Sequence, residues 1–157
     1  MEKEPDCDAF KVLLVEDSKT DAYVVIRALS KRASCPCDII HAHSMKEAEQ
    51  HLLNEKGIDI VLLDLGLPDT VDNHDTFKRL DEARGDIPVI VLTSVHDHAL
   101  AVGLVDSGAA DYVRKASIHS DPEILCDAVD FAVCRHKNVS KMIQEKDQVI
   151  GWMRGTY

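Results

Sequence analysis

Residues 58–68 read Ile-Asp-Ile-Val-Leu-Leu-Asp-Leu-Gly-Leu-Pro, an apolar run that ends on an acidic residue before a turn. Apolar runs of similar length recur along the chain, and amphipathic stretches separate them. This alternation predicts βαβ units around a parallel sheet that is buried on both faces. The predicted strands span residues 11–15, 38–41, 58–63, 88–92 and 110–113.

The stretches between these strands carry apolar residues at helical spacing, so we interpret them as crossover helices. Ser44 stands three residues before Glu47, which fits a capping box at the start of the second helix. Gly57 follows the same helix and fits a left-handed stop. The first four helices are predicted over residues 19–31, 45–55, roughly 75–83 and 98–107.

A fifth helix is predicted from Asp121-Pro122, and no strong breaker follows before Gly151. It is too long for one sheet to cover. Three interpretations stay open: an overhanging helix that frays, a dimerising coil, or a connector to a partner. The heptad-like seam that favours the second is interrupted by charged residues and consists of Leu125, Ala128, Ala132, Val139, Met142, Val149 and Met153.

Size and charge narrow the class of protein. The chain has 157 residues, 45% of them hydrophobic, which suits one globular domain with a proper core. The formal net charge of -10 would repel DNA or RNA, so no direct nucleic-acid binding is expected. The first residues are charged and the apolar runs are only strand-sized, so we expect no signal peptide, no membrane span and a cytoplasmic protein.

The cysteines allow an alternative site. There are five, an odd number, and they lack CxxC spacing, which argues against a disulfide framework. Cys35 and Cys37 are followed by His41 and His43, and these four could bind zinc. The other interpretation is a pair of reduced cysteines at the start of a strand.

Acidic residues follow the first and third predicted strands. Reactive groups in an open parallel sheet collect beyond the carboxyl ends of its strands. Glu16 and Asp17 follow the first strand, and Asp64 follows the third. If these strands are neighbours, the three carboxylates repel one another unless a hard cation is bound. Mg²⁺ fits such oxygen ligands, and the backbone carbonyl of Gly66 would be a fourth ligand.

The fourth and fifth strands bring groups of opposite character to the same edge. Thr93 and Ser94 end the fourth strand, and Lys115 follows the fifth. The ammonium can pair with Asp64 or with a phosphoryl oxygen, and the Thr93 hydroxyl can donate a hydrogen bond to it. This set of groups indicates phosphoryl transfer to a carboxylate.

Four motifs resemble the CheY-like receiver domains of bacterial response regulators: Val-Glu-Asp-Ser at 15–18, Asp-Leu-Gly-Leu-Pro at 64–68, Leu-Thr-Ser at 92–94, and Gly-Ala-Ala-Asp-Tyr-Val-Arg-Lys at 108–115. The resemblance implies a flavodoxin-like, doubly wound, five-stranded parallel sheet of order 2-1-3-4-5, with five helices and the last one extended. The expected parts are an N-terminal tail over 1–9, a receiver domain over 10–136 and a helical extension over 137–157.

The resemblance also implies a function. Asp64 would accept a phosphoryl group from a sensor histidine kinase or phosphotransfer protein, and Glu16, Asp17 and Gly66 would hold Mg²⁺ with it. Thr93 and Ser94 would contact the phosphate, with Lys115, and Tyr112 would be the switch aromatic. The chain would be a signalling domain rather than an enzyme, limited to its own phosphotransfer and dephosphorylation, and would act on a downstream output protein or a second copy of itself.

Some positions depart from the family pattern. The loop from Asp69 to Asp75 lacks the glycine that the family usually has, and Ala116 replaces the proline after the lysine.

A haloacid dehalogenase-type phosphohydrolase is the main alternative function, but Gly66 stands where such an enzyme needs a second aspartate. A flavin binder would need a glycine-rich phosphate loop after the first strand. A receiver that is never phosphorylated, and a phosphotransfer role for His136, are the remaining alternatives.

Overall fold

The structure, a computed structural model, describes residues 9–31, 36–94 and 98–153. Five strands form one parallel sheet of order β2-β1-β3-β4-β5, which confirms the predicted fold class. The strands are β1 (Phe10–Val15), β2 (Cys37–Ala42), β3 (Ile60–Asp64), β4 (Val89–Thr93) and β5 (Asp111–Arg114). Each begins and ends within two residues of its predicted bounds.

The helices lie on both faces of the sheet, as βαβ crossovers require. They are α1 (Lys19–Ser30), α2 (Met45–Asn54), α3 (Asn73–Ala83), α4 (His98–Asp106), α5 (Lys115–Ser120) and α6 (Glu123–Met153). Helices α1, α5 and α6 pack on the face that carries Leu14 and Leu62, and the others pack on the face that carries Leu13 and Leu63. Every residue of β3 and β4 is buried, because helices cover both faces there.

The described residues contain six helices, so the prediction of five was wrong. The additional helix is α5, which ends where Asp121 adopts an extended conformation. Asp121 precedes Pro122, and a residue before proline avoids the helical region. The Asp121 carboxylate then accepts a hydrogen bond from the N–H of Glu123 at 3.1 Å. A short helix and a new helix start therefore replace one continuous element.

Helix α6 is buried in its first part only. Leu125, Ala128 and Ala132 are within 6% of complete burial against the chain's own sheet, so a single intermolecular seam from Leu125 to Met153 was a wrong prediction. Val139 and Met142 are more than half exposed, and so are Val149 and Met153. Ile124 and Phe131 are also exposed in the first part, so accessible apolar side chains occur along the whole helix and are most frequent beyond the sheet.

Local capping agrees with the sequence signals. Ser44 accepts a hydrogen bond from the N–H of Glu47 at 3.2 Å, as predicted for the start of α2. The Glu47 carboxylate accepts a hydrogen bond from the N–H of His43 at 2.8 Å, one residue before the Ser44 N–H that a regular capping box uses. Gly57 has a φ of 80°, the left-handed conformation expected for it. Among the residues placed in this structure, no helix combines the length and apolarity needed to cross a bilayer.

Candidate functional site

The sheet register brings the strand-end acids together. Val15 of β1 pairs with Leu63 of β3, so Glu16 and Asp64 are the next residues of adjacent strands. Oxygen atoms of Glu16, Asp17 and Asp64 all lie within 4.8 Å of one another. No other group of metal-ligating side chains with this spacing occurs in ranges 9–31, 36–94 and 98–153. The three acids form one cluster at the carboxyl edge of the sheet.

The acids differ in their exposure. Glu16 is fully buried and Asp64 is 7% exposed, whereas Asp17 faces solvent. Glu16 accepts a hydrogen bond from the N–H of Ser18 at 3.1 Å through Oε1. Its other oxygen, Oε2, has no aligned hydrogen-bond donor, although an ammonium lies beside it. The Lys115 ammonium, 2.8 Å away, therefore pairs with this oxygen as an ion contact.

Burial decides the charge of Glu16. Desolvation raises the pKa of Glu16 to about 7, against a lowering effect of the nearby Lys115 ammonium, and the charge of Asp64 raises the pKa further. The carboxyl therefore carries a proton for part of the time at neutral pH. A bound cation would favour the ionised form, because it adds an opposite charge.

Lys115 is the cation of the site. Its Nζ lies 2.8 Å from Oε2 of Glu16, 3.1 Å from Oδ1 of Asp64 and 2.9 Å from Oδ2 of Asp21. Burial alone would lower the pKa of Lys115, but the contacts with Glu16 and Asp21 raise it above its ordinary value. The ammonium therefore stays charged at any physiological pH.

The acids and the lysine line an open cavity of about 260 Å³. Gly66, Thr93 and Ser94 line the same cavity, so the structure brings these predicted residues to one place. Gly66 lies beside Asp64, since a Cβ at position 66 would be in ordinary contact, 3.9 Å, with Oδ2 of Asp64. Thr93 is 3% exposed at the end of β4.

Tyr112 is not in this cavity. It is half-buried on β5 and packs against the apolar cluster that contains Leu104 and Ala109. Tyr112 is absent from the residues that line the acidic cavity.

Two lining residues were missed from the sequence. Asp21 lies on the first turn of α1, where an acid is usually only a helix-terminal charge, and its contact with Lys115 spans 94 residues. Asn73 begins α3 and also lines the cavity, but α3 was predicted to begin at 75. The side chain of Asp72 caps α3 by accepting a hydrogen bond from the N–H of Asp75 at 2.8 Å, and that cap was the available signal.

The loop without a glycine is held by polar contacts. Asp69 accepts hydrogen bonds from the N–H groups of Met45 and Lys46 at 2.9 and 3.0 Å, so it caps the start of α2. Partial burial would raise the pKa of Asp69, but these two hydrogen bonds lower it below its ordinary value. The hydroxyls of Thr70 and Thr76 lie 2.7 Å apart and fix the other end of the loop.

The described part of the alternative zinc site does not form a cluster. Cys35 lies outside the described residues, and Cys37, His41 and His43 do not converge on one ligand position. His41 instead places Nε2 2.7 Å from the backbone carbonyl oxygen of Glu16. His136 lies on α6 with Nε2 3.8 Å from Asp86, far along the fold from the acidic cluster.

Comparison with known proteins gives the family. Residues 12–130 match the family model of the response regulator receiver domain. The chain is 30% identical over 104 residues to the DNA-binding transcriptional regulator NtrC of Proteus hauseri, covering 66% of this chain and 21% of that protein. It is 35% identical over 106 residues to the transcriptional regulatory protein VxrB of Vibrio cholerae, covering 66% and 39%. The chain thus spans less than half of these relatives.

Solved structures agree with the family match. The signal receiver domain of a LuxO repressor protein from Vibrio parahaemolyticus superposes with a TM-score of 0.71 at 28% identity, over 86% of this chain and 98% of that one. The matched region contains all five strands except for the first residues of β1, together with the acidic cluster and Lys115. The chain belongs to the response regulator receiver domain family and has its role in two-component signal transduction.

Proposed function

We propose that Asp64 is the phosphoacceptor of this receiver domain and takes the phosphoryl group of a phosphohistidine on a sensor kinase or phosphotransfer protein. The observation that carries the proposal is the position of Asp64. Its Oδ1 lies 3.1 Å from the Lys115 ammonium, and its side chain lines the same cavity as Gly66. All three acids of the cluster line this cavity, and Asp64 is the one that keeps some exposure, 7%, and also lies against the Lys115 ammonium.

The donor set suits Mg²⁺. Glu16, Asp17 and Asp64 offer carboxylate oxygens, and Gly66 would add a backbone carbonyl, which leaves positions for water as Mg²⁺ prefers. The closeness of these carboxylate oxygens, all within 4.8 Å of one another, supports the presence of a cation. When bound, the cation supplies neutralising charge for the phosphoryl oxygens.

The side chains of this site then have separate roles. An oxygen of Asp64 forms a bond to phosphorus while the bond from phosphorus to the donor imidazole nitrogen breaks and leaves its electron pair on that nitrogen. Lys115 stabilises the charge on the phosphoryl oxygens, and Thr93 donates a hydrogen bond to one of them, with Ser94 beside it. The domain turns over no substrate other than the phosphodonor, and the phosphoryl group stays on its own Asp64. The other reaction of the domain is loss of this phosphoryl group to water.

We further propose that phosphorylation switches a protein-interaction surface. The phosphoryl group adds roughly two negative charges and new acceptors, which draw the Thr93 hydroxyl inward. Tyr112 then moves into the vacated space and changes the face formed by α4, β5 and α6. A downstream output protein reads that face, and the net charge of -10 favours a protein partner over nucleic acid.

The proposed organisation keeps three parts: a tail over 1–9, the receiver domain over 10–136 and an extension over 137–157. The extension carries Val139, Met142, Val149 and Met153 at a spacing typical of helix pairing. We assign it to pairing with a second copy of the chain. The protein would act in the cytoplasm, where sensor kinases phosphorylate their partners.

Phosphorylation by acetyl phosphate with Mg²⁺, followed by intact mass, tests the proposal. One phosphoryl group should be added to the wild type and none to Asp64→Asn. Asp59→Asn is the matched control, because Asp59 immediately precedes the same strand at its opposite end, where it accepts a hydrogen bond from the N–H of Lys11 at 2.9 Å. A phosphoryl group that persists in Asp64→Asn, or labelling that continues with chelator, would overturn the assignment.

A further inference from the structure

Lys115 has a hydrogen-bond partner, Asp21, that lies outside the acidic cluster. Oδ2 of Asp21 accepts a hydrogen bond from Nζ of Lys115 at 2.9 Å, closer than the 3.1 Å between that ammonium and Asp64. Asp21 is not a member of the group of acids that could share a metal ion. Its carboxylate therefore binds the lysine rather than the cation.

The position of Asp21 is fixed by the start of α1. Ser18 caps this helix, because its hydroxyl accepts a hydrogen bond from the N–H of Asp21 at 3.3 Å. Ser18 in turn donates its N–H to Glu16 at 3.1 Å. The same short segment thus sets the place of Glu16 and the place of Asp21, which hold the ammonium from two directions.

The lysine needs such a restraint, because it lies between two open spaces. Lys115 lines the acidic cavity of about 260 Å³ and also a groove of about 490 Å³ between α1 and α5. A lysine has a flexible four-carbon stem and three rotatable donors, so its ammonium does not keep one direction by itself. Asp21 lines both spaces and stands at the boundary between them.

We propose that Asp21 is a positioning residue for phosphoryl transfer, which orients the Lys115 ammonium toward Asp64. Asp21 takes one N–H of Lys115, and Oε2 of Glu16 and Oδ1 of Asp64 lie 2.8 and 3.1 Å from the same ammonium. This inference rests on the proposed function of Asp64. It adds a residue that acts through Lys115 and contacts neither the phosphoryl group nor the cation.

Two opposite effects of Asp21 have to be compared. Its negative charge reduces the positive potential that Lys115 offers to a phosphoryl group, whereas its hydrogen bond keeps the ammonium in place. The Asp21 side chain is 43% exposed, so solvent and salt screen its charge. The hydrogen bond is short-ranged and is not screened in this way, so orientation outweighs repulsion and loss of Asp21 slows the reaction.

The test compares first-order rates of phosphorylation at saturating Mg²⁺, with acetyl phosphate as the probe and intact mass as the measurement. Asp21→Ala should react about tenfold more slowly than the wild type, since small misplacements of a charged group cost one to two orders of magnitude. Asp21→Glu, which restores a carboxylate within reach, should recover most of the rate. Rescue by a carboxylate distinguishes orientation of Lys115 from a general effect on folding.

Glu55→Gln is the matched control. Glu55 also contacts a lysine, Lys11, at 2.9 Å, and its side chain is 42% exposed, but it lies away from the acidic cavity. This variant should react at the wild-type rate. Equal rates for wild type and Asp21→Ala, with Asp64→Asn inert, would overturn this inference alone. A wild type that gains no phosphoryl group would overturn the proposed function and, with it, the role of Asp21.

Discussion

Oε2 of Glu16 lies 2.8 Å from Nζ of Lys115, and even this close ion pair does not keep Glu16 acidic. The carboxyl is fully buried, and desolvation raises its pKa to about 7. The neighbouring charge of Asp64, which contacts the same ammonium, raises the pKa of Glu16 further. The metal-free site is thus an electrostatically unfavourable arrangement that a cation would relieve.

The stability of the metal-free protein should fall as pH rises from about 4.5 to about 7. The folded protein holds the Glu16 proton over this range while the unfolded chain releases it, so stability present below pH 4.5 is lost as pH passes the folded pKa. Urea unfolding in chelator should show a loss on the order of 3 kcal/mol. Glu16→Gln should abolish that part of the slope, and an identical slope in both proteins would contradict the shift.

Mg²⁺ should raise the melting temperature of the wild type and not that of Asp17→Ala. The cation relieves repulsion among the three acids, and a ligand at 100 times its dissociation constant contributes about 2.7 kcal/mol. Thermal melting with and without Mg²⁺ measures the difference. Asp38→Ala, which removes another exposed aspartate near the sheet edge, is the control and should keep the full shift. The same shift in Asp17→Ala would show that the acids do not share one cation.

Loss of the Asp69 carboxylate should destabilise the fold by about 1 kcal/mol, the usual cost of removing a helix cap. Asp69 accepts from the N–H groups of Met45 and Lys46, and its lowered pKa means that this stability is lost as pH falls into the acid range. Chemical unfolding of Asp69→Ala measures the cost, and Asp69→Asn should lose less because it keeps an acceptor. Faster hydrogen exchange at Met45 and Lys46 should accompany the loss.

The strands were predictable because strands that are buried on both faces of a sheet have uninterrupted apolar sequences. Most helices were predictable from apolar residues at helical spacing. The run that ends at Asp64 is an example, since all five residues of β3 are buried. Helix α5 was not predictable in the same way. It begins at Lys115 without any side-chain cap, and it lasts only to Ser120, so neither a start signal nor a helical period marks it.

The candidate site was predictable as far as sheet topology determines it. Glu16, Asp64 and Thr93 follow adjacent strands, and the order of a parallel sheet alone places them at one edge. The contact between Asp21 and Lys115 depends instead on how closely the starts of α1 and α5 approach each other. Packing of two helices sets that distance, and no local pattern in the sequence reports it.

The exposed part of α6 leads to the last prediction, that the protein self-associates through residues beyond Lys137. Val139, Met142, Val149 and Met153 are 54–82% exposed, while Leu125, Ala128 and Ala132 at the start of the helix are buried against the sheet. Sedimentation should show dimers for the full chain and monomers for a chain truncated after Lys137.

Single substitutions separate pairing from a general effect of truncation. Met142→Glu places a charge among the exposed apolar residues and should weaken association at least tenfold, because a charge at a buried helix contact loses its hydration. Gln148→Glu changes charge on a different face of the same helix and should leave association unchanged.

If phosphorylation at Asp64 reshapes the face next to α6, the dimerisation constant should also differ between protein treated with acetyl phosphate and untreated protein. Equal dimerisation constants in those two samples would show that phosphorylation does not control pairing through the extension. A full chain that sediments as a monomer would contradict the pairing.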